Sequence, residues 1–327
     1  MKKFFYSFAA IVALLATSCV KEANSDLLAS GEETVVTFDV KAAELSTRAA
    51  DINTGLKATK LLYAIYDTDW KRLQTFEDSF DGVNLTKQIT LRLVKNKTYN
   101  LVFWAQNPDV TCYTCNWPEQ GDPNVVIDYN GLVSNNDKLD AFFGNKLNFQ
   151  VGTTTDKNVE LRRPFAQINF GTNDYKAAKD MGYDLANASV SFTTKAYTKF
   201  YLNNGKVDTT TGMTDVTFAG ATPIDTDDTT SLSTKTHGDF HWVAMNYILW
   251  PNPDVEDDKS MDLSLPVCNI TLTMANQAPI TIEVPQAPAR RNWRTNLVGY
   301  LLTQEQSFQI IILPEPEDAY DVEVPNL

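Results

Sequence analysis

Residues 34–40 read TVVTFDV. Val36, Phe38 and Val40 fall on one side of this stretch, and Thr37 and Asp39 on the other. A period of two is the signature of a half-buried β-strand, and β-branched and aromatic residues favour it. The same style recurs in KATKLLYAIYD (57–67), KQITLRLVK (87–95), TYNLVFWAQ (98–106), AQINFGT (166–172) and ASVSFTTKAYTKFYL (188–202). HWVAMNYILW (241–250), CNITLTMA (268–275), APITIEVP (278–285), TNLVGYLL (295–302) and SFQIIIL (307–313) continue it, with Asn, Gly, Pro and Asp between. Only NDYKAAKDMGYDLA (173–186) and NNDKLDAFFG (135–144) suggest short helices in loops. The pattern predicts an all-β chain with strands at sandwich spacing.

Working outward, TVVTFDV runs into ELSTRAADI (44–52), a single arginine followed by small residues. It reads equally as a turn, a linker or a protease site. Ahead of it, Lys2 and Lys3 precede the apolar run FFYSFAAIVALLA, too short to span a bilayer, and ATSC ends at Cys19. This predicts a lipoprotein signal peptide over 1–19 with Cys19 as the lipidation site and Ala16 in place of the usual leucine. Several buried acyl chains, each CH2 worth about 0.8 kcal/mol, would anchor the chain to a membrane. Residues 20–31 read as a polar tether. No other apolar run approaches 18 residues.

Charge narrows the function classes. The chain of 327 residues carries 28 Lys+Arg against 41 Asp+Glu, a net charge of −13. That is the wrong sign for a nucleic-acid partner, which needs basic patches. Catalytic constellations are thin. There is no nucleophile elbow, zincin motif or phosphate-cradling glycine loop, so no catalytic residue, metal or cofactor is expected and the chain does not read as an enzyme. The histidines, His237 and His241 in HGDFH, sit where a strand begins rather than on a helix that could close on a metal. The acidic runs DTDD (225–228) and DVEDD (254–258) lack the spacing of a calcium loop. Cys112 and Cys115 in NPDVTCYTCNWPEQGDP (107–123) read as a disulfide within a loop, with Cys268 a small buried hydrophobe. Arg162 and Arg163 read as connector residues that pair with acidic groups.

ITLRLVKNKTYNLVFWA (89–105) and ITIEVPQAPARRNWRTNLVGYL (280–301) each join an alternating strand to a second segment. Asn96, Asn100, Leu101 and Val102 correspond to Asn292, Asn296, Leu297 and Val298, which suggests two similar halves. The seam falls in DKNVELRRPFAQINFG (156–171), giving an N-terminal sandwich over 32–162 and a C-terminal sandwich over 163–327.

YNLVFWAQ, LDAFFG, ELRRPFAQINFGTND, VAMNYILW and RNWRTNLVGYLLT together resemble the fimbrillin-like lipoproteins of Bacteroidetes, over most of residues 32–315. The resemblance implies two tandem transthyretin-like β-sandwich domains and a place in type V pili or related surface adhesion structures. It implies outer-membrane export, cleavage by an arginine-directed protease between Arg48 and Ala49, and loss of the strand holding Val36, Phe38 and Val40. A strand from another subunit or copy would then fill the groove. AYDVEV near the C-terminus offers Tyr320, Val322 and Val324 as a donor strand. FQIII, with Phe308, Ile310 and Ile312, is a second candidate that reads better as a core strand. Asp208-Thr209-Thr210 and Asp228-Thr229-Thr230 resemble the O-glycosylation pattern of exported Bacteroidetes proteins, with Thr209 and Thr229 as acceptors. Two alternatives stay open: an uncleaved pilus anchor, or a monomeric tethered lipoprotein that binds carbohydrate or a host or bacterial surface ligand. For the second, Trp117 or Trp250 could stack on sugar rings.

Overall fold

The computed structural model describes residues 31–42, 56–80, 85–224, 226–228, 239–251, 263–265, 267–284, 286–303 and 307–313. The first half contributes β1 (Glu33–Ala42), β2 (Lys60–Tyr66), β3 (Arg72–Ser79), β4 (Thr86–Val94) and β5 (Thr98–Gln106). It continues with β6 (Tyr113–Asn116), β7 (Asn124–Ile127), β8 (Ala141–Gln150) and β9 (Asn158–Leu161). After the connector come β10 (Phe165–Thr172), α1 (Tyr175–Asp180), β11 (Ser189–Ala196), β12 (Lys199–Tyr201), β13 (Lys206–Val207) and β14 (Thr214–Ala221). The rest are β15 (Thr226–Asp228), β16 (Phe240–Leu249), β17 (Leu263–Ser264), β18 (Cys268–Thr273), β19 (Ile280–Val284), β20 (Pro288–Ala289), β21 (Arg294–Tyr300) and β22 (Ser307–Leu313). The chain is all-β. Its one described α-helix lies in NDYKAAKDMGYDLA, and NNDKLDAFFG holds a single 3-10 turn, Asp137–Leu139, before its aromatic end enters β8.

The same pairing scheme occurs twice. In the first half, β1 runs antiparallel to β4 and parallel to β9, and the sheet β3-β2-β5-β8 faces them. In the second, β10 runs antiparallel to β16 and parallel to β21, within the order β15-β16-β10-β21-β22, and β14-β11-β18-β19 is the other sheet. The equivalent of β5 is therefore β18, and that of β9 is β21. The sequence match of 89–105 with 280–301 instead lays β4–β5 on β19–β21, which are not equivalent. Its basis is local. Asn96 and Asn292 both take a left-handed turn (φ 59° and 65°), which Asn tolerates better than most residues, and a strand follows each.

Hydrophobic packing does not divide at the connector. Val36, Phe38, Leu61, Tyr63, Ile65, Leu91, Phe103, Phe142 and Phe149 belong to a core between the two sheets of the first half. The opposite face of the sheet containing β2 and β5 places Ala64, Tyr66, Val102 and Trp104 in a second, larger core with Phe165, Phe192, Phe200 and Trp250. Strands β12 and β13 of the second half also pair onto β7 and β6 of the first, in the order β13-β12-β7-β6. ASVSFTTKAYTKFYL, read as one strand, is accordingly broken after Ala196: β11 stays in its sandwich and β12 crosses to the first half.

Candidate functional site

The segment around TVVTFDV is the middle strand of a three-stranded sheet. It pairs with β4 from Glu33 opposite Val94 to Lys41 opposite Thr86, and with β9 from Asp39 opposite Asn158 to Ala42 opposite Leu161. Two further backbone bonds close its far end, Asp39 N–H to the Lys157 carbonyl (3.1 Å) and Ala42 N–H to the Leu85 carbonyl (3.1 Å). The alternation in the sequence becomes an alternation in space. Val36, Phe38, Val40 and Ala42 are buried, while Val35 is 50% exposed and Asp39 and Lys41 face solvent.

Phe38 is the deepest of these side chains, at 0% exposure, and meets Phe149 edge-on with ring centroids 4.8 Å apart. Each buried Val or Phe contributes about 1.5–3 kcal/mol, so Val36, Phe38 and Val40 together contribute roughly 5–9 kcal/mol. The outward residues are held loosely. Thr37 and Thr90 share a hydroxyl hydrogen bond of 3.1 Å, and Gln88 Nε2 donates to Asp39 Oδ1 at 2.7 Å. Taking β1 away would leave β4 and β9 with no pairing to each other and an apolar slot above the facing sheet. Unpaired edges and empty apolar surface are both repaired by adding one strand. The same three strands also line a concavity of about 550 Å3, bounded by Asp39, Val40, Lys41, Gln88, Val159 and Glu160 among others.

The other residues singled out in the sequence are scattered. Cys19, Arg48, Ala49, Thr229, His237, Tyr320, Val322 and Val324 lie outside the described residues. Cys112, Cys115 and Cys268 are free thiols in this structure. Cys115 lies in β6, and Cys112 just precedes it. Burial raises all three thiols, Cys112 to about 11 and Cys115 and Cys268 to about 12, which leaves them protonated and unreactive. Trp250 is 2% exposed and Trp117 packs half-buried against the larger core, so Trp250 offers no platform for a sugar ring and Trp117 only a partial one. Thr209 is exposed beyond β13. There Asp208 Oδ1 accepts hydrogen bonds from the backbone and hydroxyl of Thr210, which hold its carboxyl below the usual range and leave Thr209 facing solvent.

His241 is buried in β16, with Nδ1 2.8 Å from Asp227 Oδ1 and its ring stacked on Tyr175 at 3.5 Å. Among the described residues no group of three His, Cys, Asp or Glu side chains is placed to hold a metal. FQIII forms β22, paired antiparallel to β21 at the end of its sheet, with Phe308 opposite Gly299 and Ile310 opposite Leu297.

The connector arginines do pair with acids, and differently. Arg162 meets Glu160 at 3.5 Å in solvent, where the contact is worth little. Arg163 Nε lies 2.9 and 2.8 Å from the two oxygens of Asp140, with side-chain exposures of 10% and 1%. Burial pushes the Asp140 carboxyl above its ordinary value, while Arg163 and Arg294 pull it down. Arg291 completes the joint by lying over Phe143 (5.0 Å) from the first half and Phe200 (5.8 Å) from the second. Neither Asp140 nor Arg291 is marked in the sequence: Asp140 is one acid among many in a loop, and its partner is 23 residues away.

Residues 18–325 match a family of unknown function (DUF6562). No curated protein matches the chain. Among solved structures it is similar to a DUF1812 protein from Bacteroides thetaiotaomicron, at 13% identity over 89% of this chain and 99% of that one, with a TM-score of 0.48. It is similar to a fimbrial assembly protein from Parabacteroides distasonis, at 12% identity over 90% and 100% of the two chains, TM-score 0.46. A third is the tip fimbrial protein Mfa3 from Porphyromonas gingivalis, at 12% identity over 86% and 99%, TM-score 0.44.

Proposed function

We propose that this chain, which belongs to the DUF6562 family, is a surface adhesion or fimbrial subunit whose assembly turns on the loss and replacement of β1. The observation that carries this reading is the seat of β1. It is the middle strand of its sheet, buried on one face only, and Arg48 follows six residues after its end. Cleavage between Arg48 and Ala49 would remove Val36, Phe38 and Val40 together. A strand with apolar residues at every second position would then fit the slot, and Tyr320, Val322 and Val324 have that spacing. Cys19 would carry the lipid that brings the precursor to the outer membrane, and Thr209 and Thr229 would carry glycans. The halves 32–162 and 163–327 would serve as acceptor and support.

The test is direct. Purified full-length protein treated with an Arg-specific protease is expected to yield a product beginning at Ala49, and that product to form ladders that survive mild SDS. A cleanly cut product that stays monomeric would remove strand exchange from the reading and leave an uncleaved anchor or a tethered binding protein. N-terminal sequencing of the protein from the cell surface tells a processed subunit, which begins at Ala49, from an anchor or a tethered protein, either of which keeps its leader cysteine.

A further inference from the structure

Strands β1 and β5 are both buried, but against different things. β1 packs on one face only, onto the core between the two sheets of the first half. β5 and its neighbour β2 are buried on both. Leu61, Tyr63, Ile65, Phe103 and Ala105 form the floor under β1, while Ala64, Tyr66, Val102 and Trp104 face away from it into the larger core. Behind the floor, Trp104 meets Tyr113 (5.5 Å) and Phe165 (6.5 Å), and Phe143 of β8 meets Phe200 edge-on at 4.5 Å. Those partners come from β6, β10 and β12, so both the cross-paired sheet and the second half stand behind the floor.

We infer that the second half acts as a brace that keeps the floor of the β1 seat folded when β1 is absent, so that the seat is a preformed strand-binding slot. The inference rests on the proposed function for its purpose but not for its physics. Without β1, the sheet β4-β1-β9 loses its middle, and nothing described pairs β4 with β9. The floor keeps every one of its own strand pairings, β3 to β2, β2 to β5 and β5 to β8, and all of its rear packing. A slot already shaped avoids the ordering cost that a collapsed edge would impose on an incoming strand. It also confines the exposed apolar surface to a single groove. Opening of β1 is thus a local event, and loss of the floor a global one.

Native-state hydrogen exchange on the intact, uncut chain separates the two. Amides of β1 are expected to exchange at least about tenfold faster than those of β2 and β5. Phe143→Leu weakens the rear packing, which the β1-open state still has. It should therefore speed exchange in β2 and β5 and leave β1 unchanged. Phe200→Leu, on the other side of that packing, should do the same if the first variant fails to fold. Phe38→Ala weakens the packing of β1 on Phe149, which local and global opening both disrupt, and should speed β1 and β5 by similar factors. A single rate for β1, β2 and β5 in the wild type overturns the inference. So does acceleration of β1 by Phe143→Leu equal to that of β5. An uncut Arg48 in cells would defeat the proposed function and leave this exchange pattern as it is.

Discussion

β1 and β10 hold the same place in their two halves, each antiparallel to one neighbour and parallel to the other. They differ in what their second face touches. β1 shows Thr37, Asp39 and Lys41 outward, whereas all eight residues of β10 are buried. Its polar residues are satisfied inside: Gln167 donates to Asn169 (3.0 Å), and Asn169 to Asn296 on β21 (2.9 Å). Equal topology therefore gives unequal removability. Loss of β1 would empty one packed face, whereas loss of β10 would open packing on both faces and strand buried amides.

The comparison can be broken most decisively by a charge. Phe170→Asp in β10 buries an unpaired carboxylate beside Phe192, which costs several kcal/mol, and no folded protein is expected. Phe38→Asp in β1 is expected to leave a folded body with β1 released, seen as a largely preserved far-UV circular dichroism spectrum and rapid proteolysis confined to the segment before residue 56. If both variants fail to fold, the two strands are equivalent after all.

A smaller effect probes the joint that ties the halves. Arg163→Ala leaves Asp140 buried without its partner and should cost about 3–5 kcal/mol at neutral pH in urea denaturation. The sign with pH follows from the raised Asp140 carboxyl. A group that binds protons more readily folded than unfolded opposes stability when charged, and that opposition fades as pH falls through its folded value. The deficit of the variant should therefore shrink on acidification, and a deficit that stays constant or grows would show that Asp140 is not its source. The smallest change is Thr37→Val on the outer face of β1. It removes the bond to Thr90 and should alter stability by about 0.2–1 kcal/mol, as suits a face that contributes little. A larger loss would mean that the outer face helps to hold the strand.

Much of this is legible in the sequence, for identifiable reasons. The alternation of Val36, Phe38 and Val40 announces a one-sided strand, and the structure buries those three side chains. FAQINFGT alternates just as clearly, with Gln167 and Asn169 as its polar members, and nothing local says that they are buried. β8, with Asn145, Lys146 and Asn148 interrupting its apolar ends, does not read as a strand at all. The apparent repeat of 89–105 with 280–301 misleads because a left-handed asparagine and the strand after it are a local solution, used here at non-equivalent places.

By itself the sequence determined what depends on near neighbours: the strand period, the turns and the one-sided character of β1. The tertiary structure alone decided which strands lie side by side. It placed β12 against β7, Phe165 behind Trp104 and Arg163 on Asp140, and so gave the β1 seat a supported floor. The physical reason is that period and propensity act within a few residues. Burial of a second face is settled by packing between segments far apart in the chain, and any of many alternating strands could have supplied it.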